Sequence, residues 1–303
     1  MDGPLTWPRS VRVREVGPRD GLQAERHPVA TDDKVRLIEA LALAGLRRIE
    51  AASFVSPKAV PQMADAAEVW ARLRRRPGVV YSALVPNRRG AEAAVEAGAD
   101  ALQVFVAATD SYNMANVRRT VSESLRDVEE VADVARGAGI AVEGTISTAF
   151  GCPYEGDVAP GVAIPVVSPY EIAPTPRRVV EVVEAVRGAL PRLDINMHFH
   201  DTRGTALANA VTALGLGVDY LDSSVGGLGG SPFATGATGN VATEDLVHML
   251  DDMGIETGVD LGALLDAARL AQELVASPLP SRVLRAGPRL APARPAEAPR
   301  AGG

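Results

Sequence analysis

The residues best suited to chemistry are two histidines separated by one residue, His198 and His200, at the end of the apolar run Leu193–Met197. Alternate residues of a strand point to the same side, so the two imidazoles can bind one metal ion. A carboxylate far upstream, such as Asp20, would complete a mixed nitrogen and oxygen ligand set. The pattern predicts a metal-dependent enzyme, and a strand end with two solvated histidines is the alternative.

Length and composition restrict the class of protein. The chain has 303 residues, of which 47% are hydrophobic, enough for a large core. Its net charge of −7 disfavours binding to nucleic acid or to an anionic membrane surface. The single cysteine, Cys152, excludes an internal disulfide and is consistent with a cytoplasmic protein. We therefore expect no nucleic-acid partner and no membrane association.

The composition changes near the carboxyl end. Residues 283–303 are mostly Ala, Pro, Arg and Gly, a mixture that cannot bury much apolar surface. The sequence therefore predicts one domain over residues 1–282, followed by a disordered tail over residues 283–303.

One unit recurs along the chain: a segment of helical periodicity ends in glycine, and a short apolar strand follows. Glycine ends a helix because it adopts the left-handed conformation there. The unit occurs at Gly45, Gly98, Gly139 and Gly217. Nearly eight alternating strands and helices predict an α/β protein with the fold of a (β/α)8 TIM barrel. An open doubly wound sheet is the alternative, although G-x-G-x-x-G does not follow the first strand.

The predicted elements come from the apolar periodicity and the glycine stops. The predicted strands are Val11–Val16, Leu46–Ala51, Val79–Leu84, Ala101–Ala107, Ile140–Ile146, Leu193–His200 and Val218–Asp222. The predicted helices are Asp32–Gly45, Gln62–Arg74, Arg88–Ala97, Ser122–Gly137, Thr175–Leu190, Ala206–Leu216, Thr243–Asp252 and Leu261–Val275.

The sixth unit of the barrel departs from this pattern. Proline disfavours a regular strand, because it lacks an amide hydrogen for the sheet. Four prolines lie in and around the only apolar run available, Val162–Val167: they are Pro160, Pro165, Pro169 and Pro174. The sequence therefore predicts that the sixth strand–helix unit is eroded or replaced by a proline-rich loop.

Polar residues follow the predicted strands where the chemistry of a TIM barrel lies, at the carboxyl ends of the strands. Arg19 and Asp20 follow the first strand, Glu50 lies on the second, and the two histidines end the seventh. Asp222 and a glycine-rich loop over residues 226–230 end the eighth. We expect these residues to converge on one rim.

Long motifs at these positions resemble those of the hydroxymethylglutaryl-CoA lyase family, within the Asp-Arg-Glu TIM-barrel metallolyases. The resemblance covers about residues 11–275. Isopropylmalate and homocitrate synthases share the Arg-Asp and His-x-His elements but differ around the GLGG loop. The matching segments are Val16–Gln23 (VGPRDGLQ), Glu50–Lys58 (EAASFVSPK), Gly151–Gly156 (GCPYEG), His198–Thr202 (HFHDT), Gly227–Ala234 (GLGGSPFA) and Gly239–Asp245 (GNVATED).

The resemblance implies a TIM-barrel lyase that cleaves 3-hydroxy-3-methylglutaryl-CoA to acetyl-CoA and acetoacetate. It implies an acyl-CoA substrate as the partner, a homodimer, and a bound Mg²⁺ or Mn²⁺ ion that lowers the pKa of the substrate hydroxyl. The metal ligands that it implies are Asp20, His198, His200 and Asn240.

The resemblance also implies catalytic roles. Asp20 or His198 would remove the hydroxyl proton. Arg19 would stabilise the enolate that the bond cleavage leaves. Glu50 would hold Arg19 by an ion pair, and a purely structural salt bridge is the alternative for Glu50.

The chain departs from the family at two positions. Ser231 stands where the GLGG loop of the family carries a cysteine that relays the proton to the enolate, and a hydroxyl is a much weaker acid than a thiol. No aspartate matches the one that ends the family's sixth strand, although Glu171 and Asp157 lie nearby. The departures leave two alternatives: a related lyase or condensing enzyme acting on another acyl-CoA, and a degenerate barrel without activity.

Overall fold

A closed barrel of parallel strands forms the centre of the computed structural model, which describes residues 6–158, 167–168, 175–230 and 239–289. The strand order around the barrel follows the chain, so the predicted TIM barrel is confirmed and the open sheet is wrong. The strands are β1 (Arg12–Glu15), β2 (Arg48–Ser53), β3 (Val80–Leu84), β4 (Ala101–Ala107), β5 (Ala141–Ser147), β6 (Val167–Ser168), β7 (Asn196–His198) and β8 (Tyr220–Ser223).

Helices connect successive strands and cover the outside of the barrel. In α1, the apolar side chains of Val35, Ile38 and Leu41 recur every three or four residues and are buried. The helices are α1 (Thr31–Leu43), α2 (Ala66–Arg72), α3 (Arg88–Glu96), α4 (Asp110–Val117), α5 (Val121–Ala138), α6 (Pro176–Ala189), α7 (Ala206–Gly215), α8 (Thr243–Asp252), α9 (Leu261–Val275) and α10 (Arg282–Ala286).

Strands β2 and β4 are buried on both faces, which explains why they show apolar runs rather than strict alternation in the sequence. In β2, every residue after Arg48 is buried. The prediction for β4, Ala101–Ala107, agrees with the structure at both ends. None of the described helices is both long and apolar enough to cross a membrane.

The sixth unit of the barrel is present, with both a strand and a helix among the described residues. Strand β6 has two residues, and it pairs with Ile146 and Ser147 of β5 on one side and with Met197 of β7 on the other. Helix α6 follows after Thr175, whose side chain accepts a hydrogen bond from the amide of Arg178. The structure therefore describes part of the sixth strand and the whole of its helix, and the proline-rich segments on either side of the strand lie outside the described residues. Asp157 is exposed in the preceding loop, and Glu171 lies outside the described residues.

Helix α4 has no counterpart among the predicted helices, because it is short and mostly polar. It is fixed by the buried side chain of Asn113, which accepts a hydrogen bond from the amide of Ala107 at 3.1 Å. The Asn113 amide nitrogen donates to the carbonyl of Thr120 at 3.0 Å and to Ser124 Oγ at 2.8 Å. This single side chain therefore ties the end of β4 to the start of α5.

Helix α10 crosses the tail boundary predicted at residue 283. Helix α10 spans Arg282–Ala286, and the carboxylate of Asp245 accepts hydrogen bonds from the amides of Arg282 and Val283. Arg289 forms an ion pair with Asp252 at 2.6 Å. These contacts attach residues 283–289 to α8, and residues 290–303 lie outside the described residues.

We predict that Gly45→Ala lowers the free energy of unfolding by about 1–3 kcal/mol. Gly45 follows α1 with φ of +103°, and a Cβ there would lie 2.3 Å from the carbonyl oxygen of Gly258. Urea denaturation measures the change. The control is Gly188→Ala in α6, where a Cβ meets nothing within 4 Å and alanine favours the helix. An equal loss of stability in both variants would contradict the steric explanation.

Candidate metal and active site

The first part of the site is a single π-helical turn, Gly17–Gly21, which directly follows β1. The carbonyl of Val16 accepts hydrogen bonds from the amides of Arg19 at 3.1 Å and Asp20 at 2.7 Å. Such turns are rare, and they occur frequently at functional sites. The turn places the Arg-Asp pair at the carboxyl end of β1, as the sequence predicted.

The carboxylate of Asp20 lies beside the imidazoles of His198 and His200. One possible ligand atom from each residue falls within 4.8 Å of the other two, and all three residues are buried. His198 ends β7, and His200 follows two residues later. The structure therefore brings together the three ligands that were expected from distant parts of the chain.

Asn240 adds a fourth possible ligand. Its amide nitrogen donates to Asp20 Oδ2 at 2.8 Å and to the carbonyl of Leu228 at 3.0 Å. These bonds fix the amide, and a Cβ on Gly229 would lie 2.6 Å from the same nitrogen. Asn240 Oδ1 is buried and has no hydrogen-bond partner among the described residues. A fixed amide oxygen of this kind suits a divalent cation, so the donor set fits such an ion.

Arg19 forms two ion pairs beside the donor set. Arg19 Nη1 donates to Asp20 Oδ1 at 2.6 Å, and Arg19 Nη2 donates to Glu50 Oε2 at 2.8 Å. Burial alone would raise the pKa of Asp20, but the charge of Arg19, with smaller contributions from the neighbouring His198 and His200, lowers it well below its ordinary value. Asp20 is therefore an ionised carboxylate, as a metal ligand must be.

Charged side chains also fill the barrel interior below the site. Arg14 is buried and forms ion pairs with Asp222 and Glu143, both at 2.7 Å. Glu143 also accepts hydrogen bonds from Arg48 at 2.9 Å and from the hydroxyl of Tyr220 at 3.2 Å. We call Arg14, Arg48, Glu143, Tyr220 and Asp222 the interior ion network. Only Asp222 was predicted to lie at the rim, because charges within a short strand carry no local sign of burial.

Two buried acids hold the backbone around the site. Glu15 Oε1 accepts hydrogen bonds from the amides of Gly17 at 2.7 Å and Val225 at 2.8 Å, and Oε2 accepts one from Thr243 Oγ1 at 2.6 Å. Glu244 accepts from the amide of Gly226 at 3.0 Å. Glu15 therefore joins the π turn, the start of the glycine-rich loop and the start of α8. Neither acid was predicted.

Burial raises the pKa of both acids. The pKa of Glu15 is raised to about 7 despite its three hydrogen bonds. The pKa of Glu244 is raised to about 8, with a further contribution from the nearby charge of Glu15. Both groups therefore titrate near neutral pH. Ser231, the last of the predicted catalytic residues, lies outside the described residues.

Fold and site together define a (β/α)8-barrel enzyme with ligands for a divalent metal ion at the carboxyl ends of its strands. The chain belongs to the HMGL-like family, whose model matches residues 10–271. It is 44% identical over 294 residues to the hydroxymethylglutaryl-CoA lyase of Bacillus subtilis, covering 93% of this chain and 98% of that lyase.

Two further relatives extend the comparison. The chain is 46% identical to the 3-hydroxy-3-isohexenylglutaryl-CoA/hydroxymethylglutaryl-CoA lyase of Pseudomonas aeruginosa, covering 88% of this chain and 93% of that protein. A solved structure of an HMG-CoA lyase from Acinetobacter baumannii, in complex with coenzyme A and 3-methylmalate, has a TM-score of 0.87 at 37% identity. That match covers 94% of this chain and 97% of the solved chain.

We predict that Glu244→Gln reduces the loss of stability with rising pH. The folded-state pKa of Glu244 lies above the ordinary value, so its contribution is fully present below about pH 4.5 and is lost as the pH rises through about 8. Glutamine cannot ionise, so the free energy of unfolding should fall less across this window, by on the order of a few kcal/mol.

Urea denaturation at pH 5.5, 7 and 8.5 measures the pH dependence. Glu130→Gln on α5 is the matched control, because Glu130 is exposed. The same pH dependence in Glu244→Gln and in the natural chain would show that Glu244 does not titrate in this range.

Proposed function

We propose that this protein is a lyase that cleaves 3-hydroxy-3-methylglutaryl-CoA to acetyl-CoA and acetoacetate, with Mg²⁺ or Mn²⁺ as cofactor. The observation that carries the proposal is the buried cluster of Asp20, His198 and His200 with Arg19 bonded to its carboxylate. Lyases acting on this thioester are among the relatives that match nearly the whole chain. The coenzyme A bound to the Acinetobacter baumannii relative supports an acyl-CoA substrate.

Four residues would hold the metal ion: Asp20, His198, His200 and Asn240. When bound, the ion supplies a Lewis acid that makes the substrate's tertiary hydroxyl easier to deprotonate. The unpartnered Oδ1 of Asn240 supports its place in this set. These ligand assignments remain predictions.

Asp20 is the better placed of the two candidate bases. His198 Nδ1 lies 3.2 Å from Asp222 Oδ2, so only its Nε2 remains for a metal ion, and that atom cannot then accept a proton. A carboxylate has two oxygens with about four lone-pair sites. Asp20 therefore has a lone pair for the hydroxyl proton as well as for a cation, although its lowered pKa makes it a weak base.

Arg19 would stabilise the negative charge of the enolate oxygen after the carbon–carbon bond breaks. Its guanidinium is fixed by two carboxylates before substrate arrives, so little reorganisation is needed. Glu50 Oε1 is buried without a hydrogen-bond partner among the described residues. Burying a carboxylate oxygen without a hydrogen bond costs free energy, and a purely structural salt bridge would not require it. The unpartnered oxygen therefore supports a role for Glu50 in the site.

A lyase acting on a larger 3-substituted glutaryl-CoA is the second candidate. The Pseudomonas aeruginosa relative is named for both 3-hydroxy-3-isohexenylglutaryl-CoA and hydroxymethylglutaryl-CoA. Incubation of the chain with each thioester and Mn²⁺, followed by detection of acetyl-CoA, separates the two. Acetoacetate formed from hydroxymethylglutaryl-CoA and abolished by chelation supports the first proposal. No product from hydroxymethylglutaryl-CoA would contradict that proposal.

A homodimer and a cytoplasmic location remain predictions.

We predict that His200→Ala raises the dissociation constant for Mn²⁺ at least about 10-fold, because one imidazole ligand is lost. Isothermal titration calorimetry on the chelator-treated protein measures the affinity, and circular dichroism checks the fold. His27→Ala is the control, since His27 is exposed. An unchanged affinity in His200→Ala would mean that the paired histidines do not bind the metal ion.

We predict that Ser231→Cys increases turnover of hydroxymethylglutaryl-CoA at least about 10-fold. A thiol with a pKa near ~8.5 donates a proton far more readily than a hydroxyl, and general acids contribute ~10²–10⁴-fold to the rate. Steady-state kinetics before and after thiol alkylation measure the effect, and alkylation should remove the gain. The buried Cys152 of the natural chain provides the alkylation control. Equal turnover in both chains would assign the proton delivery to another group.

A further inference from the structure

Three neighbouring strands carry His198, Asp222 and Arg14 at one level of the barrel interior. His198 is paired with Asp222 between β7 and β8, and Asp222 is paired with Arg14 between β8 and β1. All three residues are buried. Their side chains meet inside the barrel because residues paired across parallel strands point to the same side.

The carboxylate of Asp222 is engaged at both oxygens. Oδ1 accepts hydrogen bonds from Arg14 Nε at 2.8 Å and from Asn196 Nδ2 at 2.7 Å. Oδ2 accepts from Arg14 Nη2 at 2.7 Å and lies 3.2 Å from His198 Nδ1. An ionised carboxylate can only accept, so the hydrogen of the neutral imidazole lies on Nδ1. Nε2 then keeps the lone pair that a metal ligand needs.

We infer that Asp222 is a positioning residue that fixes both the tautomer and the ring orientation of His198, so that Nε2 carries the lone pair with which His198 would bind a cation together with Asp20 and His200. The inference rests on the proposed function, because the ion concerned is the same divalent cation. A carboxylate bonded to the second nitrogen of a ligating histidine orients the ring and raises its basicity.

The carboxylate of Asp222 is itself held in place by Arg14. Arg14 binds both of its oxygens in a fork, a geometry that lysine cannot reproduce. Arg14 is in turn fixed by Glu143 at 2.7 Å. The orientation of His198 therefore depends on a chain of ionic contacts that extends from the rim to the barrel interior.

Nuclear magnetic resonance of the metal-free natural chain, labelled with nitrogen-15 in histidine, tests the tautomer directly. The expected spectrum gives His198 a protonated Nδ1 and an unprotonated Nε2. Comparison with His198→Gln assigns its signals, which is practical because the chain has 4 histidines. A protonated Nε2 in the natural chain would overturn the inference, whatever the behaviour of any variant.

Asp222→Asn tests the consequence for the metal ion. We expect mixed tautomers of His198 in the spectrum and a dissociation constant for Mn²⁺ that rises about 10–100-fold in calorimetry. The matched control is Asp194→Asn, which removes an exposed carboxylate that also accepts two hydrogen bonds from one arginine, Arg12, at 2.7 Å. The control should change neither measurement.

Natural Mn²⁺ affinity and the natural tautomer in Asp222→Asn would overturn the inference. A natural chain that binds no Mn²⁺ would instead contradict the proposed function. The histidine spectra of the natural chain and of Asp222→Asn decide the role of Asp222 in that case as well. The two failures are therefore distinguishable.

Discussion

Closure of the barrel between its first and last strands is the constraint on which the site depends. Pairing of β1 with β8 joins segments more than 200 residues apart, and it brings the π turn that carries Asp20 next to the segments that carry the histidines. The bond between Asn240 and Asp20 spans 220 residues. No local segment contains the donor set, so closing the barrel also assembles these side chains. A metal ion bound by them would stabilise the closed form in return.

The elements that could be predicted from the sequence are those with a local physical signature. Strand β4 is a buried apolar run, and helices α8 and α9 begin and end as predicted because their apolar periodicity is strong. The convergence of Asp20 on His198 and His200 followed from the rule that barrel chemistry lies at the carboxyl ends of strands. The resemblance to hydroxymethylglutaryl-CoA lyases added Asn240, whose single amide has no local sign of a ligand.

The residues that were not predicted act through distant partners. Arg14 and Glu15 lie next to each other in a strand, where adjacent charges are typical of exposure. Both are nevertheless buried, because one meets Asp222 and the other meets the amides of Gly17 and Val225. Their role depends on contacts with residues far along the chain, which periodicity and motif spacing do not report. Helix α4 was missed for a similar reason, since a single buried asparagine defines it.

The depth of the interior ion network has a consequence for how the protein responds to dissolved salt. Exposed charges are screened over about 10 Å at 0.1 M ionic strength, whereas buried pairs are screened much less. The pairs around Arg14 are buried, whereas that of Arg12 with Asp194 lies at the surface. Salt therefore weakens surface ion pairs such as that of Arg12 with Asp194 without loosening the groups that orient His198. The internal order of the site is therefore less sensitive to ionic strength than the ion pairs at the surface are.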